Sequence, residues 1–354
     1  MKIKLALLDE DNNYLNRIMS VFGSKYEDKL EVYSFTDKEV ALSTLESSKI
    51  DVFLCDEVFN IEVENLPKRC GFAYIVDSVE INMLRGQKAI GRYQKIDLIY
   101  KEIIDIYSEN AEGISGVGKN NDSCTIISFC SVSGGTGCSS LAAACAMHYA
   151  KQGKKALYLN LEKFGSSDVF FSGEGSFDMS DIIFSLKSKK SNLRLKLESC
   201  VKQDKSGVFF FSQAKIALDM LELNPEDCSY LVTTLKNSCS YDYIIVDGDF
   251  SLDRAMIEFY KLMHAYVWVS DGSETANMKT FRAYNALLTL EDGTEIQLNN
   301  KIILAYNKFS NKTSKAIEDL SANNIGGAPR YEHATSKQVI EQLSALSLFD
   351  KIIE

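Results

Sequence analysis

Between Ser131 and Ser140 the chain reads Ser-Val-Ser-Gly-Gly-Thr-Gly-Cys-Ser-Ser, after an apolar run (Cys124–Cys130) and before a small-residue stretch (Leu141–Met147). A strand, a glycine-rich turn and a helix in this order make a cradle for phosphate. The glycines let the backbone approach an anion, and the amides with the helix N-terminus supply positive potential. The spacing selects Ser133, Gly134, Gly135, Thr136, Gly137, Cys138, Ser139 and Ser140 as nucleotide-binding residues. Cys138 stands where such loops carry a lysine, so the loop can hold a polyphosphate but lacks its main point charge. Ser139 follows directly, where a hydroxyl ligates magnesium. Tyr243-Ile-Ile-Val-Asp247 reads as a buried strand ending in an acid, which suits Asp247 to the same ion. Lys301 to Lys308 is a further buried strand, whose Asn307 amide can read a base edge. Each feature alone also fits a tight connection, a lone acid or a loop cap. In order and at strand ends, they point to a bound nucleotide with Mg.

The elements that must position these groups follow from the apolar pattern. Runs at 4–8, 30–35, 51–55, 71–76 and about 89–93 predict a five-stranded parallel sheet, with helices at 13–22, 38–45 and 96–107. The stretch 108–123 is rich in Gly, Asn and Ser, which makes 111–123 a flexible linker between domains at 1–110 and 124–354. Beyond it, strands are predicted at 124–130, 156–161, 207–211, 242–247, 265–269 and 301–306. Helices are predicted at 139–151, about 178–201, 225–238, 253–263, 274–290, 312–322 and 335–353. Alternation of this kind makes both halves doubly wound α/β domains, with function outside the carboxyl ends of the strands.

Bulk properties exclude several classes. Net charge is −10. The first 115 residues hold 14 Lys/Arg against 21 Asp/Glu (−7), and the remainder 25 against 28 (−3). Neither part has the basic excess of a nucleic-acid binder, although Lys187-Ser-Lys-Lys-Ser-Asn-Leu-Arg-Leu-Lys196 gathers local positive charge. No apolar run approaches the roughly 20 residues of an integral membrane segment. The start turns acidic too early for a signal peptide. The nine cysteines form no Cys-x-x-Cys pair, which fits reduced thiols in a cytoplasmic protein.

The second half resembles the ParA/MinD-type deviant Walker ATPases. That family's loop carries one lysine before the glycines and one after; here these positions are Ser133 and Cys138. Its next strand ends in Asp-x-Asp, where this chain has Asn160-Leu161-Glu162. The resemblance implies that the first lysine reaches a partner's phosphates across a dimer and that the first acid positions the attacking water. Asn160 and Glu162 are thus weakened catalytic candidates, and hydrolysis should be slow or absent. Lys163, just beyond, reads as a solvated loop residue. The first half resembles a response-regulator receiver, a flavodoxin-like fold. Asp56 matches its phosphoacceptor, and Glu10 with Asp9 or Asp11 its metal-holding pair. Arg92-Tyr93 stands in place of the lysine–proline pair and Asp77-Ser78 at the switch position, so the receiver is atypical.

An atypical receiver followed by such an ATPase domain resembles the TadZ/CpaE family of Tad pilus assembly. The resemblance implies a cytoplasmic, nucleotide-bound homodimer, formed through the ATPase domain, that marks a cell pole. It would recruit Tad pilus assembly proteins, including the secretion ATPase. Two other readings are a ParA-type partition ATPase on non-specific DNA, using the 187–196 charges, and a MinD-like membrane-cycling switch. The second needs a basic amphipathic tail, whereas 336–354 carries two lysines against three acids and reads as a packed helix.

Overall fold

The computed structural model describes residues 2–110, 123–189, 191–292, 297–318 and 320–353. These fall into two compact units, Met1–Gly116 with Lys187–Ser199, and Val117–Leu186 with Cys200–Glu354. Apart from Ser123, the expected linker at 111–123 lies outside the described residues.

In the first unit β1 (Ile3–Leu8), β2 (Leu30–Phe35), β3 (Val52–Asp56), β4 (Gly71–Val76), β5 (Met83–Leu84) and β6 (Gln87–Gly91) form one sheet. The order is β2-β1-β3-β4-β6-β5. Five strands are parallel, as the apolar runs predict, and β5 adds a two-residue antiparallel hairpin too short to signal itself. Helices α1 (Asn12–Lys25) and α3 (Ile96–Asn110) pack on one face, and α2 (Lys38–Ser47) on the other. On α1 the spacing of Leu15, Ile18 and Phe22 makes one buried stripe. Each such side chain, fully buried, contributes about 1.5–3 kcal/mol. Strand order reverses at β1 and β3, so a crevice opens at their carboxyl ends.

The second half builds an eight-stranded sheet. Its strands are β7 (Thr125–Cys130), β8 (Ala156–Asn160), β9 (Lys202–Gln203), β10 (Phe209–Phe210), β11 (Tyr243–Asp247), β12 (Ala265–Ser270), β13 (Ile302–Phe309) and β14 (Asn323–Pro329). The order is β14-β13-β12-β7-β11-β8-β10-β9, parallel except at β9. The helices are α4 (Cys138–Lys151), α5 (Ser167–Phe170), α6 (Met179–Ser188), α7 (Leu193–Cys200), α8 (Ala217–Leu221), α9 (Pro225–Asn237), α10 (Arg254–Tyr260), α11 (Glu274–Glu291) and α12 (Ser336–Leu343). Nine consecutive residues of α4, Leu141 to Tyr149, are buried. Its alanines let it lie close against the centre of the sheet, where β7 is flanked by β11 and β12.

Three expected helices differ. Among the described residues of 312–322 the predicted helix does not form. Its backbone donors are used elsewhere, Lys315 N–H on the Gly272 carbonyl (2.8 Å) and Ile317 N–H on the Tyr306 hydroxyl (2.7 Å), and the chain runs on into β14. The C-terminal helix stops at Leu343 and resumes as a 3-10 turn, Ser347–Ile352, while His148 Nδ1 lies 2.9 Å from the Ser344 carbonyl. The long helix at 178–201 divides into α6 and α7, with Lys189 in the left-handed region (φ 53°).

That division releases Lys187–Ser199 into the first unit, away from the second domain in which the sequence placed it. Leu195 packs on the α1/α3 core. Lys196, 4% exposed, pairs with Asp105 of α3, which is 1% exposed and also holds Lys88 Nζ at 2.8 Å. The Asn192 amide donates to the Ser108 carbonyl (3.1 Å), and Glu198 accepts from Lys29 and, at 3.3 Å, from Tyr100.

Candidate functional site

The glycine-rich turn connects β7 to α4, with Gly135 and Gly137 in left-handed conformation (φ 80° and 79°). Ser131 organises it: its hydroxyl donates to the Val269 carbonyl (2.6 Å) and accepts from Thr136 Oγ1 (3.0 Å) and the Ser133 amide (3.3 Å). From the end of β13, Asn307 Nδ2 donates to the carbonyls of Thr136 (3.0 Å) and Gly137 (3.2 Å). A Cβ at Gly137 would meet that nitrogen at 2.4 Å, so only glycine fits. With both amide hydrogens on the loop, Asn307 keeps Oδ1 as the atom able to accept from a base. Lys308 Nζ donates to the Gly135 carbonyl (2.7 Å), bringing an ammonium onto a loop that has none of its own.

Beneath the loop, the ends of β8 and β11 lie side by side, Asp247 in register with Asn160. Asp247 is fully buried and Oδ2 accepts from Tyr158 (2.6 Å) and Asn160 Nδ2 (3.1 Å). The same Asn160 nitrogen lies 3.1 Å from Glu162 Oε2, and the Ser139 hydroxyl donates to Glu162 Oε1 (3.3 Å). Gly165 lets the loop after β8 close on this cluster, since a Cβ there would lie 2.1 Å from Asn160 Oδ1. Burial and the nearby Glu162 charge push the Asp247 carboxyl up to about 8 against the pull of Tyr158 and Ser139. Burial also raises Glu162. Burial, with Asp247, Cys130 and Glu162 nearby, pushes the Cys138 thiol well up.

Asp247 Oδ1 is buried without a hydrogen bond, and so is Ser133 Oγ. An orphaned carboxylate oxygen beside the Ser139 hydroxyl fits a hard divalent cation. Among the described residues no cluster of three His, Cys, Asp or Glu side chains could hold a metal, so phosphate oxygens and water must complete the shell. Ser139 and Asp247 would hold magnesium, which when bound offsets phosphate charge. The loop amides would hold the phosphates. The residues at the signature-charge positions, Ser133, Cys138 and Asn160, carry no charge. Positioning and charge supply almost all of phosphoryl-transfer catalysis, so this arrangement suits retention of a triphosphate better than its cleavage.

The second acidic group lies at the carboxyl edge of the first sheet. Asp9 (0% exposed) and Asp56 (6%) face each other across the ends of β1 and β3. Asp9 Oδ1 accepts from the Asp11 amide (2.8 Å) and Asp56 Oδ1 from the Val58 amide (3.0 Å). Glu10 is exposed. The Asp11 carboxylate caps α1 through the amides of Asn13 (2.8 Å) and Tyr14 (3.2 Å). Arg92, directly after β6, donates through Nη2 to Asp56 and lies 3.0 Å from Asp9 Oδ2. Burial raises the Asp9 carboxyl to about 6 despite the Asp11 amide and Arg92. Sequence reading noted Arg92 only as a departure from lysine. Tyr158, one strand period before Asn160, and Lys308 also escaped it as site residues.

Residues 1–108 match the family model described as "TadZ-like, receiver domain". No curated protein matches the chain. Among solved structures, a ParA family ATPase from Chlorobium tepidum TLS is similar at 22% identity, over 65% of this chain and 96% of that one, with a TM-score of 0.50. The MinC:MinD cell division complex of Aquifex aeolicus is similar at 19% identity, over 65% and 93%, with a TM-score of 0.49. MinD of Pyrococcus horikoshii OT3, complexed with Mg-ADP, is similar at 14% identity, over 62% and 94%, with a TM-score of 0.48. Residues 1–108 thus match a TadZ-like receiver, and the second half shares the fold of a ParA family ATPase.

Proposed function

We propose that this chain, with the receiver-plus-ParA/MinD architecture of TadZ and CpaE, is an ATP-binding assembly factor of the TadZ kind. It works in the cytoplasm, marks a cell pole, and recruits Tad pilus proteins including the secretion ATPase. Mg·ATP acts as a structural or slow-switching ligand, and the receiver serves as a docking module. One observation carries the reading: the cradle keeps its amides, Ser139 and a buried Asp247 with an orphaned oxygen, yet has Ser133, Cys138 and Asn160 at the charged positions. Such a site favours the bound ground state over the transition state.

Self-association through the nucleotide unit is part of the proposal. Phe164, two residues beyond Glu162, is 76% exposed, and Ile216 and Leu218 are 58% and 69% exposed. Large apolar side chains left in water on the nucleotide unit favour a second copy covering them.

The partition reading loses its main support. Lys196 is buried against Asp105 and Leu193 is in the core, so these two residues of 187–196 offer nothing to a phosphate backbone. The membrane-cycling reading loses its tail, because Ile340, Leu343 and Phe349 are fully buried. Among the described residues no helix is long and apolar enough to cross a membrane.

The test is calorimetry of Mg·ATP into the full chain, with phosphate release and sedimentation on the same sample. Saturable binding, ATP-promoted dimers and negligible turnover are expected. No heat at millimolar ligand, or turnover rivalling a lysine-bearing ParA-type enzyme, would overturn the reading.

A further inference from the structure

The acidic pocket of the first unit is filled from within. Its two buried carboxylates come from β1 and β3, and like charges at such range cannot both ionise without a cation between them. Arg92 is that cation. Its amide donates to the Val76 carbonyl (2.8 Å), which fixes the backbone at the sheet edge beside β4. Its guanidinium meets Asp56 and Asp9 through Nη2, lies 3.4 Å from Asp77 Oδ1 through Nε, and stands 4.9 Å from the Tyr14 ring centroid. The side chain is 10% exposed. Asp9 Oδ2, buried, faces this group as an ion pair without a hydrogen bond.

We propose that Arg92 is a tethered replacement for the divalent cation that two such carboxylates would otherwise bind, so that the receiver pocket is closed to magnesium. The physical case has three parts. An arginine keeps its charge at any physiological pH. Its attachment to β6 holds it at the pocket, so it is never diluted away as a free ion is. A magnesium ion demands near-octahedral oxygen ligation and dehydrates reluctantly, and it would have to displace a guanidinium already ion-paired to both Asp9 and Asp56. The consequence is a receiver fixed in one electrostatic state, its charge balance independent of metal and of a phosphoryl donor that requires metal.

The test titrates MnCl2 or MgCl2 into the nucleotide-free full chain by calorimetry, comparing wild type with Asp56→Asn, Arg92→Ala, Arg92→Met and Arg92→Ala/Asp56→Asn. The wild type should show no uptake attributable to this pocket. Arg92→Ala should take up one ion with a dissociation constant on the order of 1 mM, and the added Asp56→Asn should abolish it, which separates this pocket from Asp247. Arg92→Met keeps the apolar stem should the alanine variant fail to fold. Uptake by the wild type that Asp56→Asn removes, or no uptake by a folded Arg92 variant, overturns the proposal. Amide exchange in the wild type is an independent arm. Unchanged exchange of residues 10–14 and 57–60 in 10 mM magnesium, about ten times that dissociation constant, supports it, and metal-induced protection there refutes it.

Discussion

Lys196→Met is the sharpest probe of how 187–199 belongs to the first unit. Methionine keeps the length of the buried stem and removes the ammonium, leaving the Asp105 carboxylate, 1% exposed, with Lys88 at 2.8 Å and the Ser199 hydroxyl at 3.5 Å. Breaking a buried pair by deleting one partner costs about 3–5 kcal/mol. Lys88 remains beside Asp105 but is one-third exposed, so its compensation is screened and the lower end, about 3 kcal/mol, applies. Since every 1.4 kcal/mol is a factor of ten, the most protected amides of β1, β3 and β4 should exchange about a hundredfold faster. Amides of β7 and β11, in the other unit, should not change. Hydrogen exchange with mass spectrometry reads both sets in one sample. Replacing both partners, Lys196→Met with Asp105→Leu, should restore most of the loss, because an apolar pair of similar volume leaves no buried charge. A change below about threefold in the first-unit strands would mean that the pair is loosely held and that the reasoning is wrong.

Three further predictions concern the nucleotide cradle. Burial pushes the Asp247 carboxyl up to about 8, so at pH 7 the free protein holds a proton there, and Mg·ATP binding should release most of it. Calorimetry in buffers of different ionisation enthalpy measures this, and no release at pH 7 would contradict the assigned role. Because the folded value lies above the unfolded one, this group's contribution is full below about pH 4 and is lost as pH rises to about 8, so the unliganded second unit should weaken across that window. Cys138→Lys restores a point charge on the loop. One charge-assisted hydrogen bond of about 1.5 kcal/mol predicts roughly tenfold tighter ATP binding. Turnover should stay low, since Ser133 and Asn160 are unchanged, and an unaltered dissociation constant would show that position 138 does not face phosphate.

What the sequence made legible was the backbone of both sites. Apolar runs ending in Asp247, Asn160 and Asp56 placed these groups at strand ends, because a buried parallel strand leaves a pattern that local propensity does not blur. Long-range partners left no such trace. Nothing near Tyr158 says that its hydroxyl meets a carboxylate 89 residues away, and nothing near Lys196 says that it is buried 91 residues from its partner. The 312–322 stretch failed for the same reason. Its helical spacing is a local signal, and the Gly272 carbonyl and Tyr306 hydroxyl that take its amides are not. The separation matters because each missed group is a charge or a donor that sets the chemistry of a site whose frame was already visible.

The two sites answer one electrostatic problem in opposite ways. Each buries a carboxylate at the end of a parallel strand and must supply a positive partner. In the first unit the chain supplies it from the residue directly after β6, and Arg92 leaves both acids paired. In the second the lysines are gone from the loop, Lys308 is spent on the Gly135 carbonyl, and Asp247 keeps an oxygen with no donor. A buried carboxyl in that state avoids its charging cost by holding a proton, and gives it up only when an outside cation arrives. Dependence on an added ligand therefore belongs to the cradle and not to the receiver. If this is right, metal and nucleotide should alter amide exchange around 131–140 and 243–249 while leaving residues 9–14 and 56–60 as they were.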